Sequence, residues 1–150
     1  MPQLSFNSPL GALTLTEEDG AILSLDWGWG MGNEETPLLT EARDQVDAYF
    51  DRKLTVFDLP LSPPGTVFQK KVWDVMCAIP YGQTLTYGGV ADQLGTSPRA
   101  VGLACGRNPI PIIIPCHRIL GSNGSLGGYS GLDGVETKRT LLQLEKALLA

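Results

Sequence analysis

The sequence predicts an α+β chain: a small N-terminal domain of β-sheet and one helix over residues 1–63, then a mostly helical C-terminal domain over residues 64–150 that contains a helix-turn-helix. Three observations carry this. Apolar and polar residues alternate with period two only in the first part of the chain. Helical spacing dominates after residue 66. A proline-rich stretch, residues 59–65, lies between the two and reads as a linker.

In the first domain, residues 4–9, 11–20 and 21–28 alternate and are broken by Asn, Asp and Gly, as in hairpin-connected strands. Leu38, Leu39, Ala42, Val46 and Phe50 then recur at helical spacing, which gives one helix over 38–50. In the second domain, Phe68, Val72, Trp73, Met76 and Ile79 fall on one side of a helix over 66–79 that Pro80 stops. Thr86 can cap a helix through Val90, Ala91 and Leu94, and Gly95 can end it. Ser97 stands as an N-cap with Pro98 at the first helical position of a short helix over 98–105 that Gly106 can close. Two short helices joined by Gly95, Thr96 and Ser97 resemble a helix-turn-helix. The small residues Ala100, Gly102 and Ala104 in the second of them serve either close helix–helix packing or close approach of a partner. Arg99 beside them is either a solvated arginine or a contact residue.

Asn108 and Pro109 favour a turn. Ile112, Ile113 and Ile114 form a buried-strand run that Pro115 ends, presenting Cys116 and His117. A glycine-rich loop over 121–134 has a length usual for functional loops. A last helix is expected over 135–149, with Leu141, Leu142, Leu144 and Leu148 facing in.

Hydrophobic residues make up 43% and charged residues 18% of 150, as in an ordinary globular protein. No apolar run is long enough to span a membrane and the N-terminus lacks the basic-then-apolar pattern of a secretory signal, so the expected location is the cytoplasm. The net charge of −5 argues at first against nucleic acid, but it is unevenly spread. Residues 1–65 carry 11 acids against 3 bases, and residues 66–150 carry 5 acids against 8 bases. The basic half can face phosphates, although such asymmetry also arises by chance.

The three cysteines, Cys77, Cys105 and Cys116, are too few and too oddly numbered for a disulfide framework, and no Cys/His cluster has zinc-ligand spacing. No metal and no cofactor are expected. Cys77 and Cys105 lie on apolar helix faces and read as packing residues. Cys116 adjoins the only histidine, His117. A thiolate is the nucleophile where a base or cation lowers the thiol pKa, and a carboxylate such as Glu145 in the last helix could orient the imidazole. Taken alone, the pair fits a structural cysteine beside a surface histidine as well as a nucleophile.

The run Ile114-Pro115-Cys116-His117-Arg118 resembles the active-site signature of the methylated-DNA–protein-cysteine methyltransferases, the O6-alkylguanine-DNA alkyltransferases. The likeness extends through residues 68–91, 99–131 and 141–145, and the N-terminal residues 8–25 are similar to the family's small first domain, which implies a ribonuclease H-like fold there. The resemblance implies direct DNA repair: irreversible, single-turnover transfer of an alkyl group from O6 of guanine, and potentially O4 of thymine, to Cys116 after the base is flipped. It implies that His117, through water, and Glu145 generate the thiolate. Tyr87 stabilises the departing guanine, and Asn108 holds the turn that positions the cysteine. Arg99 takes the place of the flipped base, with Ser97, Ala100, Arg107 and Tyr87 on the DNA-binding side. Ile119, Tyr129, Ser130 and Lys138 line the base pocket. The implied partner is double-stranded DNA containing O6-alkylguanine, bound by a monomer, with no membrane. The competing readings are a lesion-binding module without transfer, a cysteine hydrolase and a transcriptional regulator.

Overall fold

The computed structural model describes residues 1–127 and 134–147, and the chain divides into two compact units, Met1–Pro64 and Gly65–Ala150. Together they form a mixed α+β protein, a small N-terminal sheet and a helical C-terminal part. Among the described residues no helix is long and apolar enough to cross a membrane.

The first unit is an antiparallel meander with one helix. Strands β1 (Gln3–Ser8), β2 (Gly11–Glu18) and β3 (Ala21–Trp27) pair in order, with Leu4 opposite Leu15 and Phe6 opposite Leu13. Asp19 and Gly20 both have positive φ, at 52° and 79°, the geometry that lets a two-residue turn match the twist of the strands it joins. Helix α1 (Pro37–Phe50) starts at Thr36, whose side chain accepts a hydrogen bond from the Leu39 N–H. Its buried stripe is Leu39, Ala42, Val46 and Tyr49. Leu39, Ala42 and Val46 fall on the expected face, whereas Leu38 and Phe50 at its margins lie half-buried and Tyr49 takes the inward place in the last turn. The proline-rich stretch also differs from a free linker. The Ile22 N–H donates to the Pro60 carbonyl and the Ser62 N–H to the Ile22 carbonyl, each at 2.8 Å. Prolines at the open edge of a sheet are tolerated when the residue between them supplies the donor.

The second unit begins with α2 (Val67–Cys77), closed at its start by a reciprocal capping box between Thr66 and Gln69. It buries Val72, Trp73 and Met76, and the Trp73 indole donates to the Ala104 carbonyl at 2.9 Å. Cys77, expected as a packing residue, is exposed, since it points away from the Val72–Met76 face; Cys105 is buried. The two-residue strand β4 (Leu85–Thr86) pairs in parallel with β5 (Ile119–Leu120). Helices α3 (Tyr87–Leu94) and α4 (Pro98–Gly106) form the helix-turn-helix, capped by Thr86 and Ser97 and separated by Gly95 at φ 65°.

Two expectations fail here for physical reasons. The triple isoleucine is not a strand. Pro109, Pro111 and Pro115 remove three backbone donors, and the chain instead folds on itself, with the Ile114 N–H donating to the Ile110 carbonyl and the Cys116 N–H to the Ile114 carbonyl. All three isoleucines are buried nonetheless. The last helix, α5 (Val135–Leu144), is shorter than the expected 135–149. Lys146 adopts φ 60°, and the Lys146 and Ala147 N–H groups bond back to the Gln143 and Leu142 carbonyls. This is a helix-ending motif that usually uses glycine, so a lysine there gives no warning in the sequence. Leu141 and Leu142 are fully buried, Leu144 half-buried, and Leu148 lies outside the described residues.

Candidate active site

The turn of residues 108–115 delivers Cys116. Asn108 organises it with both ends of its side chain. Its Oδ1 accepts from the Ile110 N–H at 2.9 Å, and its Nδ2 donates to the Ile114 carbonyl at 2.8 Å and to Cys116 Sγ at 3.2 Å. Ile112 holds φ 74°, a conformation that costs a β-branched residue about 1–3 kcal/mol and that clusters at functional sites. Its complete burial helps to hold it there. Cys116, His117 and Arg118 then form a single 3-10 turn, in which successive side chains point about 120° apart. Cys116 and His117 therefore diverge although they are neighbours in sequence.

The His117 and Arg118 side chains both reach Glu145, at the C-terminal end of α5. His117 Nε2 lies 2.6 Å from Glu145 Oε2, with both side chains fully buried. Arg118 forks onto the same carboxylate through Nε at 2.8 Å and Nη2 at 3.1 Å. Its Nη1 donates to the Ile79 carbonyl at 2.6 Å, and its guanidinium lies over the Tyr81 ring. A carboxylate with these neighbours can only accept, so Nε2 carries the imidazole proton and Nδ1 is the basic nitrogen. Burial pushes the His117 pKa down, against the opposing pull of Glu145, which keeps the ring neutral. Nδ1 has no hydrogen-bond partner among the described residues. Buried polar atoms left so are uncommon, and catalytic sites are one place they occur.

Burial also raises the Cys116 thiol, while the Asn108 amide and the Lys138 ammonium pull it back down. Lys138 is completely buried, and burial lowers its own pKa against the attraction of the Cys116 and Cys105 sulfurs. Its Nζ donates to the Gly127 carbonyl at 3.3 Å and sits 5.6 Å over the Tyr87 ring. The Tyr87 hydroxyl donates to the same carbonyl, also at 3.3 Å, and burial pushes its pKa up to about 12. Three groups thus adjoin one another, Asn108 with Cys116, His117 with Glu145 and Arg118, and Lys138 with Tyr87, and the charge of Lys138 is felt at both Cys116 and His117.

The remaining predicted residues fall elsewhere. Ile119 is fully buried and its N–H donates to the Cys116 carbonyl. Tyr129 and Ser130 lie outside the described residues. Ser97 is exposed and spends its hydroxyl on the Ala100 N–H as the cap of α4. Arg99 and Arg107 are exposed at the two ends of α4, and Ala100 is half-buried. A Cβ added at Gly106 would meet nothing within 4 Å, and one at Gly102 only the edge of Tyr87 at 4.0 Å. Of the small residues in α4, Ala104 is buried and its carbonyl accepts from Trp73, so it serves helix packing, whereas packing within the protein does not require a glycine at 102 or 106. Arg118 was given no role from sequence. The signal that could have found it was a second basic side chain beside His117 with one acid, Glu145, for both.

Comparison with known proteins places these features in context. The sequence model described as 6-O-methylguanine DNA methyltransferase, ribonuclease-like domain, matches residues 4–63, and that described as 6-O-methylguanine DNA methyltransferase, DNA binding domain, matches residues 67–147. The methylated-DNA–protein-cysteine methyltransferase of Methanosarcina barkeri is 46% identical over 149 residues, covering 93% of each chain. That of Mycobacterium tuberculosis is 43% identical over 155 residues, covering 95% of this chain and 91% of its own. Among solved structures, Mycobacterium tuberculosis OGT in complex with DNA superposes with a TM-score of 0.87 at 42% identity, covering 98% of this chain and 94% of that one. An O6-methylguanine DNA methyltransferase from Methanococcus jannaschii superposes with a TM-score of 0.69 at 32% identity, over 98% and 95%.

Proposed function

The chain belongs to the 6-O-methylguanine DNA methyltransferase family, and from that premise we propose that it repairs DNA directly, by moving an alkyl group from O6 of guanine onto Cys116 in a single irreversible event. The observation that carries the reading is the buried Cys116 thiol, held by Asn108 beside a His117–Glu145 pair whose free nitrogen is the basic one.

The reaction follows from these groups. His117 Nδ1 takes the Cys116 proton across a water, and the Glu145 carboxylate stabilises the imidazolium that forms. The thiolate attacks the alkyl carbon, an S–C bond forms, and the C–O6 bond breaks with its electron pair passing to the guanine. Tyr87, whose high pKa keeps it protonated, supplies a proton to the guanine ring nitrogen as that charge develops. Lys138 over the Tyr87 ring offsets the phenolate left behind. The thioether on Cys116 has no route back to the thiol, so one molecule acts once.

A base within a duplex is out of reach of a buried thiol and must be flipped, at a cost of a few kcal/mol. Helix α4 is suited to the minor groove. Its exposed face has an arginine, two glycines and a leucine, a small, largely apolar surface of the kind that enters a minor groove and displaces a base from its stack. Arg99 on that face fills the space of the flipped base, with Ser97, Ala100 and Arg107 alongside. Ile119, Tyr129, Ser130 and Lys138 line the base pocket. The protein acts as a monomer on double-stranded DNA in the cytoplasm.

Intact mass tests this. After incubation with a duplex carrying one O6-methylguanine, the protein should gain the mass of one methyl group, at Cys116 only and saturating at one equivalent, and Cys116→Ser should gain nothing. A duplex that binds but keeps its methyl group would replace transfer with lesion binding alone.

A further inference from the structure

Arg99, Leu103 and Gly106 are exposed and Gly102 half-buried, and at 100° per residue the four share one face of α4 about 100° wide. Leu103 is 66% exposed. It follows Arg99 by one turn, and with glycine at 102 and 106 it and Arg99 are the side chains that stand out there, with exposed Arg107 on the flank away from the glycines. On its flank it shares with Phe68 and Arg107 a shallow groove of about 310 Å³. A scattered surface leucine needs no explanation. This one sits one turn from Arg99, beside two glycines that packing does not require.

We propose that Leu103 is a specificity-determining residue. It presses its methyl groups on the minor-groove floor next to the lesion and makes transfer faster where the adjoining pairs are A·T than where they are G·C. This rests on the reading above, in which α4 enters the minor groove. Four residues along a helix advance about 6 Å, under two base-pair steps of about 3.4 Å each, so Leu103 reaches the first or second pair beside the base that Arg99 replaces. In the minor groove those pairs differ chiefly by the guanine 2-amino group, a donor that projects from the floor of G·C and is lacking in A·T. A leucine methyl cannot accept that hydrogen bond, and it strips the amino group of its water. Against A·T the same methyl meets a smooth floor.

The test uses single-turnover methyl transfer by the full chain to two duplexes, each with one O6-methylguanine, whose two flanking pairs on both sides are all A·T or all G·C. Softer A·T flanks ease flipping for any protein, so the comparison is between variants of the rate ratio. We expect the A·T-over-G·C ratio to fall by about fivefold or more in Leu103→Ala, near the low end of what one unfavourable base pair costs a DNA-binding protein, and to persist in Leu103→Met. Because each variant is compared with itself, a general loss of fold or activity cancels. An unchanged ratio in Leu103→Ala would overturn the proposal while leaving the transfer reaction intact. Failure of the unsubstituted protein to methylate Cys116 with either duplex would instead remove the reading on which it rests, and the proposal with it.

Discussion

Both units bury polar side chains, but they bury different kinds. In the first unit the buried polar residues are Ser5, Thr14 and Thr16. Thr14 Oγ1 donates to the Gly28 carbonyl, leaving Ser5 as the donor in the 2.8 Å contact between the two hydroxyls, and the Gly30 N–H donates to both. The cluster pins the loop after β3 so closely that a Cβ on Gly30 would lie 2.9 Å from Thr14. Every group in it is neutral and partnered. In the second unit the buried polar groups, Thr137 apart, are ionisable: Cys116, His117, Arg118, Lys138 and Glu145. Three of them, Cys116, His117 and Lys138, are pushed towards their neutral forms by burial, and one atom, His117 Nδ1, has no hydrogen-bond partner among the described residues. Burial of polarity is therefore no marker of a site. Displaced titrations around an unsatisfied atom are.

Three substitutions test that contrast. Glu145→Gln should have the largest effect. It leaves Arg118 buried without its counter-charge, which costs about 3–5 kcal/mol, and it removes the partner of His117, so both the unfolding midpoint in denaturant and the rate of methyl transfer should fall. Retained transfer at the original rate would remove Glu145 from the chemistry. Tyr87→Phe should come next and act on rate rather than stability, slowing single-turnover transfer by about 10²-fold if the hydroxyl supplies the proton. Its hydrogen bond to the Gly127 carbonyl is long, at 3.3 Å, so the midpoint should hardly move. Thr14→Val should have the smallest effect and the opposite character. It leaves Ser5 and the Gly28 carbonyl short of partners at about 1–3 kcal/mol, while the transfer rate on the folded protein stays the same. A rate change there would break the division between a structural polar core and a chemical one.

The fold was legible where a single residue type settles the local geometry. Asp19-Gly20 gives the hairpin, Thr86 the start of α3 and Gly95 its end, and Ser97-Pro98 the start of α4. It was misread where context overrides composition. The isoleucine run has strand composition, but three prolines leave it no ladder. Lys146 ends α5 in a conformation that glycine usually takes. In α1 the expected stripe through Leu39, Ala42 and Val46 ends on Tyr49 rather than on the more apolar Phe50.

At the candidate site, the sequence by itself determined the chemical parts. It contains one histidine, directly after a cysteine, in a run whose resemblance named the reaction. It also determined that Asn108 begins a turn, because asparagine before proline favours one wherever the pair stands. Only the tertiary structure decided which atoms meet. His117 and Glu145 lie 28 residues apart, and no periodicity carries that distance. Arg118 joins them because a 3-10 turn and the end of α5 converge, and Lys138 reaches the sulfur's surroundings because α5 buries it completely. Local sequence fixes torsions and caps, which depend on neighbours a few residues away. The pKa shifts and hydrogen bonds of a site depend on groups brought together across the fold and on the water excluded there.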